Sequence, residues 1–380
     1  MFSTRRAFFT TFGAFVLTAC GTTPPRARDV RADALPPDLL PQPNAAFDAW
    51  VTNFRPRALS NGISASTYDR AFQSAGFLPG VIARDGNQIQ TRRTFEDYLS
   101  IATSDERVTK GRAAFAQYSA TLTSIENRFG VESHILAAIW GMESTYGERM
   151  GQIPVISSTA TLAFDGRRAG FFEAQLLAAL RILENGDTTP ENLTGSWAGA
   201  MGHTQFIPTT YQSAAVDFDG DGRRDIWSPD PTDALAGTAN YLASNGWRRG
   251  VPWGAEEGTS NLQGRALQPQ AGGVRFTVTR NFNVLKTYNN SDFYAAAVGH
   301  LSDRIAGGGP LQGGFPPDAN GLTREDRIAI QTGLQRRGYD IGTIDGVIGP
   351  ATEAAISAFQ QAAGLPVTGL ATRDVLAALR

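Results

Sequence analysis

A segment rich in glycine and proline near the C-terminus sets the strongest limit on how this chain of 380 residues can fold. Residues 306–320 read AGGGPLQGGFPPDAN, where glycine removes backbone stiffness and Pro316-Pro317 prevents a helix from continuing. The segment predicts a linker between a large domain at 44–305 and a small domain at 321–380. Since 42% of the residues are hydrophobic, the chain can bury a sizeable core.

The first twenty residues, MFSTRRAFFTTFGAFVLTAC, have the pattern of an export signal. Arg5 and Arg6 precede an apolar run at 7–19 that is too short to span a bilayer. The arginine pair also resembles a twin-arginine signal. We therefore expect the mature protein in the periplasm.

The signal ends in Leu-Thr-Ala-Cys, which resembles a bacterial lipobox in which cleavage leaves Cys20 as a lipidated N-terminus. Gly21 after the cysteine favours the outer membrane by analogy with known lipoproteins. The alternative is an ordinary signal peptide with an incidental cysteine. Residues 21–43 are rich in proline and arginine and predict a tether.

Composition excludes several classes of function. The single cysteine rules out a disulfide scaffold, a cysteine-based zinc site and an iron–sulfur cluster. The net charge of −2 and the scattered basic residues argue against a nucleic-acid-binding protein. We expect neither a nucleic-acid partner nor a catalytic cofactor.

Apolar residues at three- and four-residue spacing predict a large domain made mainly of helices. Alternation of Val274, Phe276 and Val278 with polar residues, followed by more apolar positions, predicts a strand pair near 273–288. The expected fold class is therefore α+β, mainly α. The predicted helices span 107–129, 133–146, 169–184, 231–245 and 291–305.

One carboxylate lies in an unusual place. In the helix that begins at Ser133, Leu136, Ile139 and Trp140 form an apolar face, and Glu143 follows on that same face. A helical glutamate normally points to solvent. Burial disfavours the charged form and raises the pKa, so a buried glutamate can stay protonated and act as a general acid. Glu143 is therefore the candidate catalytic residue.

Residues 195–208, GSWAGAMGHTQFIP, combine glycine with tryptophan, glutamine and phenylalanine. Glycine lets a backbone approach a ligand closely, and glutamine supplies both a donor and an acceptor for sugar hydroxyls. The segment predicts a cleft wall. The alternative is a tight turn between helices.

Residues 217–227, DFDGDGRRDIW, begin with the D-x-D-x-D-G pattern of a calcium loop. A cation held there would be structural, either Ca²⁺ or another hard cation. Because the twelfth position is Ser228, Asp225 or Asp233 would have to complete the ligand shell. The alternative is a solvated turn. The predicted ligands are Asp217, Asp219, Asp221, the backbone carbonyl of Arg223, and Asp233.

Four motifs together resemble the lytic murein transglycosylase B family. They are IWGMES at 139–144, the 195–208 segment, the 217–227 loop, and YNNS at 288–291 with Tyr294. The resemblance implies a lysozyme-like helical domain with a single catalytic glutamate, here Glu143. It also implies a cation site in the aspartate loop. The glycan-binding residues that it implies are Tyr98, Ser196, Gln205 and Tyr294. Tyr146 lies at a position where relatives often have tryptophan, and its ring would form an aromatic wall of the binding site.

The small domain resembles a three-helix peptidoglycan-binding domain. The resemblance rests on LQRRGY at 334–339, IDGVIGPAT at 344–352, AFQ at 358–360 and GLPVTG at 364–369. It implies that glycan strands of peptidoglycan are a partner. The other expected partner is the outer membrane, which the lipid anchor predicted at Cys20 would reach. Because its glycines and Asp345 can simply shape turns, we assign no ligand contacts there.

The resemblance also implies a reaction that needs one carboxylate. Ordinary glycosidases use two, yet no second acidic residue lies in the motifs around Glu143. Glu143 would protonate the oxygen between N-acetylmuramic acid (MurNAc) and N-acetylglucosamine (GlcNAc). It would then deprotonate the muramyl C6 hydroxyl, which closes a 1,6-anhydro ring. The alternatives are a hydrolytic muramidase of the same fold and a non-catalytic peptidoglycan-binding lipoprotein.

Overall fold

A computed structural model describes residues 35–86 and 93–380. The predicted signal at 1–20, with Cys20, lies outside the described residues, as does most of the predicted tether. Those predictions therefore stay predictions. In the part of the chain that is described, no helix is both long enough and apolar enough to cross a membrane.

Helices build most of the molecule, which confirms the mainly helical fold. A short 3₁₀ helix at Pro37–Leu39 precedes them. The α-helices are α1 (Ala45–Ser60), α2 (Ala65–Phe72), α3 (Pro79–Gly86), α4 (Phe95–Ala102), α5 (Asp105–Gln117), α6 (Ser119–Phe129), α7 (Ser133–Ser144), α8 (Val155–Asp165), α9 (Ala169–Asn185), α10 (Pro208–Ala214), α11 (Thr232–Ser244), α12 (Arg280–Tyr288), α13 (Asp292–Ile305), α14 (Arg324–Arg336), α15 (Pro350–Ala362) and α16 (Arg373–Leu379).

The strands form two small antiparallel sheets. One pairs β1 (Ile153–Pro154) with β2 (Thr194–Gly195), which opens the predicted cleft-wall segment. The other has the order β3 (Gly254–Glu256), β5 (Phe276–Val278) and β4 (Arg265–Leu267).

The predicted strand pair at 273–288 is half wrong. Phe276–Val278 is a strand, but its partners are β3 and β4, and the residues after it form α12. The Thr279 side chain accepts a hydrogen bond from the Asn281 amide and so starts a helix there. The apolar side chains that follow, Phe282 among them, are buried on that helix.

The predicted helix at 107–129 is two helices. Tyr118, with φ −104° and ψ 21°, separates α5 from α6. Helix α7 ends at Ser144, two residues before the predicted end, because Thr145 and Tyr146 adopt left-handed conformations. The other three predicted helices match α9, α11 and α13 to within one residue at each end.

Helix α7 lies at the centre of the largest hydrophobic cluster. Leu136 and Ile139 have no exposed surface, and α7 packs against α5, α6, α11 and α13. A second cluster surrounds α8 and α9. Because α7 is held from several sides, its last turn, with Glu143, has a defined position in the fold.

Helices α14–α16 enclose a third hydrophobic cluster, made only of residues between 322 and 379, which we call the C-terminal unit. Arg327 of this unit is 5% exposed and reaches helix α4. Its Nη2 lies 2.8 Å from Glu96 Oε2 and 3.1 Å from Asp97 Oδ1. This buried charge cluster ties the C-terminal unit to the helix that also carries Tyr98.

Candidate active site

Glu143 occupies the last turn of α7 and is only partly exposed. Burial raises its pKa from 4.5 to about 7, against the opposing effect of a hydrogen bond from Tyr294. The surrounding protein removes most of the water from this carboxylate, while the side chain keeps some contact with solvent. At neutral pH both protonation states are populated, as a group that alternates between acid and base requires.

Tyr294 is the direct partner of Glu143. Its hydroxyl donates a hydrogen bond of 2.6 Å to Glu143 Oε1. The side chain is 3% exposed, and its backbone amide donates to the Ser291 hydroxyl that caps α13. Burial raises the pKa of Tyr294 well above 10, and the charge of Glu143 raises it further. Tyr294 therefore stays a donor at every physiological pH.

Tyr288 forms a second layer behind Tyr294. The two rings stack with centroids 6.4 Å apart and an angle of 11° between their planes. The Tyr288 hydroxyl donates 2.6 Å to the carbonyl of Thr204. This bond brings the 195–208 segment to the tyrosine pair, and through it to Glu143.

Tyr98 of α4 is the next group in the field of Glu143. Its pKa rises to about 12, mainly through burial and then through the charge of Glu143. Its ring lies 6.0 Å from that of Phe293. Arg107 is close enough for its charge to act on the Tyr98 hydroxyl, and it contacts Met142 Sδ at 3.5 Å. Tyr98 and Tyr294 thus both lie close enough to Glu143 to feel its charge. That they bind glycan stays a prediction.

The 195–208 segment contains a tight turn, and its role as a cleft wall stays a prediction. Ser196 Oγ accepts a 3.1 Å hydrogen bond from the Ala200 amide and closes the turn. Gln205 has a left-handed backbone with φ 54°, and its Nε2 donates to the carbonyls of Met150 and Gly202, each at 2.9 Å. With both amide hydrogens used, Gln205 Oε1 is left as an acceptor without a donor among the described residues.

His203 joins this segment to helix α7. Trp140 Nε1 donates to His203 Nδ1 at 3.0 Å, and His203 Nε2 lies 2.8 Å from the Ser228 carbonyl, to which it donates. Ser144, the residue after Glu143, donates 2.6 Å to the His203 carbonyl. Gln205 is therefore held two residues from a point of contact with the last turn of α7.

Tyr146 packs inside the protein. Its hydroxyl donates 3.1 Å to the Arg107 carbonyl, and its ring meets the edge of Trp140 with centroids 5.5 Å apart. A Cβ at Gly141 would overlap this ring, so the glycine two residues before Glu143 makes room for the tyrosine. The geometry supports a packing role, and glycan binding by Tyr146 stays a prediction.

The aspartate loop brings three of the predicted ligands together. One carboxylate oxygen each from Asp217, Asp219 and Asp221 lie within 4.8 Å of one another. The amide of Arg223 donates 2.8 Å to Asp221 Oδ1. These hard oxygen donors, with three negative charges close together, fit a divalent cation.

Asp233 is not one of this group. Its two carboxylate oxygens accept hydrogen bonds from the Phe218 amide at 2.8 Å and the Asp225 amide at 2.9 Å. Burial raises its pKa to about 6. Asp233 thus braces both arms of the loop from helix α11.

Sequence reasoning did not assign a role to Tyr288, His203 or Arg107. Tyr288 lies inside the YNNS motif, which could have pointed to it. His203 lies between Gly202 and Gln205, and only its contacts with Trp140 and Ser228 reveal what it does. Arg107 carries no local signal.

The arrangement around Glu143 suits one-carboxylate chemistry. A second carboxylate at the distance used by retaining glycosidases, about 5–5.5 Å, would add its charge to the pKa of Glu143. Only burial and Tyr294 perturb that pKa, and no acidic group among the described residues does. The available donors and acceptors are hydroxyls, an amide oxygen and aromatic rings, which are groups that bind sugars.

Comparison with known families agrees with this geometry. The model of the transglycosylase SLT domain matches residues 46–262 and 255–303. The model of the putative peptidoglycan binding domain matches residues 323–379. Membrane-bound lytic murein transglycosylase B of Escherichia coli K12 is 33% identical over 234 residues, which are 53% of this chain and 64% of that protein.

Solved structures are similar over longer stretches. SltB3 from Pseudomonas aeruginosa, in complex with NAG-anhNAM-pentapeptide, is 43% identical with a TM-score of 0.69 and covers 89% of this chain and 100% of its own. The Escherichia coli lytic transglycosylase Slt35, in complex with calcium, is 26% identical with a TM-score of 0.59, covering 69% of this chain and 93% of its own. The chain therefore belongs to the transglycosylase SLT family, with a lysozyme-like SLT domain followed by a peptidoglycan-binding domain.

Proposed function

We propose that this chain is a lytic transglycosylase that cleaves the β-1,4 bond between MurNAc and GlcNAc in peptidoglycan and leaves 1,6-anhydro-MurNAc ends. One observation supports it above all: Glu143 is a single carboxylate with a pKa of about 7, held by Tyr294 at 2.6 Å. Membership of the SLT family and the similarity to SltB3, solved with NAG-anhNAM-pentapeptide, support the same assignment.

The first step is proton transfer from Glu143 to the glycosidic oxygen. The bond from the muramyl C1 to that oxygen breaks, the GlcNAc hydroxyl leaves, and positive charge develops at C1. The muramyl acetamide stabilises this centre from within the substrate. Tyr294 keeps its hydrogen bond to the new carboxylate of Glu143, which limits the energetic cost of a buried charge.

The second step uses the same residue as a base. The Glu143 carboxylate takes the proton of the muramyl C6 hydroxyl, and O6 bonds to C1 to close the anhydro ring. The residue returns to its starting protonation state, so proton and electron pair both balance. Since the attacking hydroxyl belongs to the substrate, proximity supplies part of the rate.

Four residues would position the glycan. Tyr98 is partly exposed beside Glu143 and offers aromatic surface, whereas the buried Tyr294 would act through its hydrogen bond to Glu143. Gln205 presents an acceptor whose orientation is fixed by its own two donated bonds. Ser196 keeps a hydroxyl hydrogen to donate, because its oxygen is the acceptor in the turn.

The decisive experiment compares Glu143→Gln with the unchanged protein on purified glycan strands. Glutamine keeps the size and the acceptor for Tyr294 but cannot donate or accept the proton, so we expect release to fall by about 10²–10⁴-fold or more. Glu148→Gln is the matched control, since that exposed glutamate pairs with Lys110 at 2.8 Å.

Product analysis separates the rival functions. Mass spectrometry should show anhydro ends from the unchanged protein. Reducing ends would show a muramidase in which water replaces the C6 hydroxyl. Equal release by Glu143→Gln and the unchanged protein would show a non-catalytic binding protein and refute the proposal.

Calcium would occupy the aspartate loop. The three convergent carboxylates of Asp217, Asp219 and Asp221 fit a hard cation, and Slt35 was solved in complex with calcium. The loop runs on to Ser228, whose carbonyl bonds His203. A cation would thus stabilise the segment that holds the cleft wall, without entering the reaction.

We also propose a location and an order of domains. The resemblance to a membrane-bound murein transglycosylase and the N-terminal sequence favour the periplasm, with Cys20 as a lipid anchor in the outer membrane. A tether at 21–43 would lead to the transglycosylase domain at 44–305, the linker at 306–320 and the peptidoglycan-binding domain at 321–380. Labelled fatty acid that enters the protein but not Cys20→Ala would test the anchor.

A further inference from the structure

Arg327 connects the C-terminal unit to the two residues directly before Tyr98. Its Nη2 donates to Glu96 Oε2 at 2.8 Å and to Asp97 Oδ1 at 3.1 Å. The three side chains are largely buried, with exposed fractions of 6% for Arg327, 12% for Glu96 and 22% for Asp97. Water and salt therefore screen these contacts only weakly, and they hold the first turn of α4 in a defined place.

The same guanidinium group is also fixed within the C-terminal unit. Its Nε donates to the Gly346 carbonyl at 2.6 Å, and its Nη1 donates to the Leu322 carbonyl at 3.4 Å. Gly346 belongs to the motif at 344–352 on which the resemblance to a peptidoglycan-binding domain rests. One side chain thus joins that motif to helix α4.

The linker contacts the same turn of α4. Its Phe315 ring meets the edge of the Phe95 ring, with centroids 6.1 Å apart, and Phe95 has no exposed surface. The amides of Gln312 and Gly313 donate to the two carboxylate oxygens of Glu256 on strand β3, at 2.8 Å and 2.5 Å. The linker therefore lies against the SLT domain and adds to the contact made by Arg327.

A buried ion cluster contributes geometry more than stability. Removing charges from water costs free energy that their attraction only partly returns, so packed apolar residues often hold an interface as firmly. A guanidinium group donates in one plane and in fixed directions, which sets the position of its partners. Arg327 also faces a third carboxylate, with Asp318 Oδ2 at 3.5 Å. Because one cation holds three carboxylates, the position of α4 depends on this residue.

We propose that Arg327 is a positioning residue for glycan binding, which holds the first turn of α4 so that Tyr98 lies in its place beside Glu143. This role rests on the proposed function, because it takes Tyr98 as a glycan contact. Tyr98 directly follows the two carboxylates that Arg327 binds, so a shift of this turn moves the tyrosine with it. The peptidoglycan-binding domain would then help to shape the site around Glu143.

The role of Arg327 should appear as a change in KM. In the full mature chain, Arg327→Met should raise KM for a peptide-free tetrasaccharide of alternating GlcNAc and MurNAc by about tenfold. Because burial and Tyr294 alone perturb the pKa of Glu143, kcat and the pH at which kcat/KM falls should stay unchanged. Arg337→Met is the matched control, since that arginine donates to two carbonyls of its own unit, and it should leave KM unchanged.

A second comparison shows whether Arg327 acts through Tyr98. Tyr98→Ala alone should raise KM. Adding Arg327→Met to it should raise KM no further, because the side chain that Arg327 positions is then absent. If the two effects multiply, Arg327 acts elsewhere and the proposal fails. An unchanged KM in Arg327→Met alone would also overturn it.

If Arg327→Met unfolds the C-terminal unit, the cluster can be opened from the other side. Glu96→Gln combined with Asp97→Asn keeps the bonds of Arg327 to the carbonyls of its own unit. This double variant should raise KM by a similar factor, and an unchanged KM would contradict the role of Arg327. Glu106→Gln is the control, because that exposed glutamate pairs with Lys110 at 2.9 Å.

Binding measurements distinguish this inference from the proposed function. In chains that carry Glu143→Gln, calorimetry with the same tetrasaccharide measures affinity without turnover. Arg327→Met should weaken that affinity by about tenfold, and equal affinity with and without Arg327→Met would refute its role. If the chain with Glu143 intact cleaves no tetrasaccharide, the proposed function fails, whereas the calorimetry still decides on Arg327.

Discussion

The perturbed pKa of Glu143 should be measurable as a stability effect of the Glu143→Gln substitution. Burial raises this pKa from 4.5 to about 7, and the difference of about 2.5 corresponds to about 3 kcal/mol at 1.36 kcal/mol per unit. In this pH range the folded state holds a proton that the unfolded state has lost, so the stability of the unchanged protein falls as pH rises from 4.5 to 7. Glutamine cannot titrate.

The variant should therefore gain stability relative to the unchanged protein between pH 4.5 and 8. Because the carboxylate keeps some contact with solvent, we expect a gain of about 2–3 kcal/mol. Urea unfolding followed by tryptophan fluorescence measures this gain in stability. The signal reports on the domain that contains Glu143, since all six tryptophans lie at residues 50 to 253.

Glu126→Gln is the matched control. Burial raises the pKa of Glu126, but hydrogen bonds from the Ser133 hydroxyl and amide outweigh it and hold the pKa below 4.5. Its effect on stability should therefore be constant between pH 5 and 8. A Glu143→Gln effect that is equally constant, or that falls as pH rises, would show that the carboxylate is not buried and would remove the basis for its role as an acid.

Three further perturbations test the site and its support. Tyr294→Phe removes a hydrogen bond that lowers the pKa of Glu143, so the pH at which kcat/KM falls on the alkaline side should rise by about one unit. Tyr68→Phe is the control and should not change that pH, because the Tyr68 hydroxyl donates to the Val51 carbonyl, away from Glu143. A lower pH for the fall in Tyr294→Phe would contradict the prediction. Gly141→Ala places a methyl group against the packed Tyr146 ring and should lower the free energy of unfolding by about 1–3 kcal/mol, measured by thermal unfolding. Gly170→Ala is the control: a methyl group there meets open space in a helix and should not destabilise the protein. Equal effects of the two substitutions would refute the packing argument. Chelation of calcium should lower the unfolding temperature of the unchanged protein but not that of Asp219→Asn, and insensitivity of both would exclude a bound cation.

The error in the predicted strand pair has a local cause. Between 280 and 288, Phe282, Val284 and Leu285 alternate partly like a strand but also lie at helical spacing. Periodicity alone does not decide between the two over so short a segment. The deciding contact is the Thr279 cap on the Asn281 amide, and threonine before an apolar run was the available signal. The long segments at 169–184 and 291–305 leave no such ambiguity and were predicted correctly.

The position of Glu143 could be predicted from local sequence, but its pKa could not. The period of α7 placed Glu143 on the apolar face, because Ile139 and Trp140 occupy the preceding turn. The pKa of a carboxylate on such a face still depends on what packs over it, and that packing comes from residue 294, which is 151 positions away. Had α13 brought a lysine in place of Tyr294, the same helix would carry a glutamate with a low pKa that could not donate a proton. The pKa of Glu143, and with it the chemistry of the site, therefore depends on the packing of α13 against α7. A substitution at position 294 tests this as directly as one at position 143.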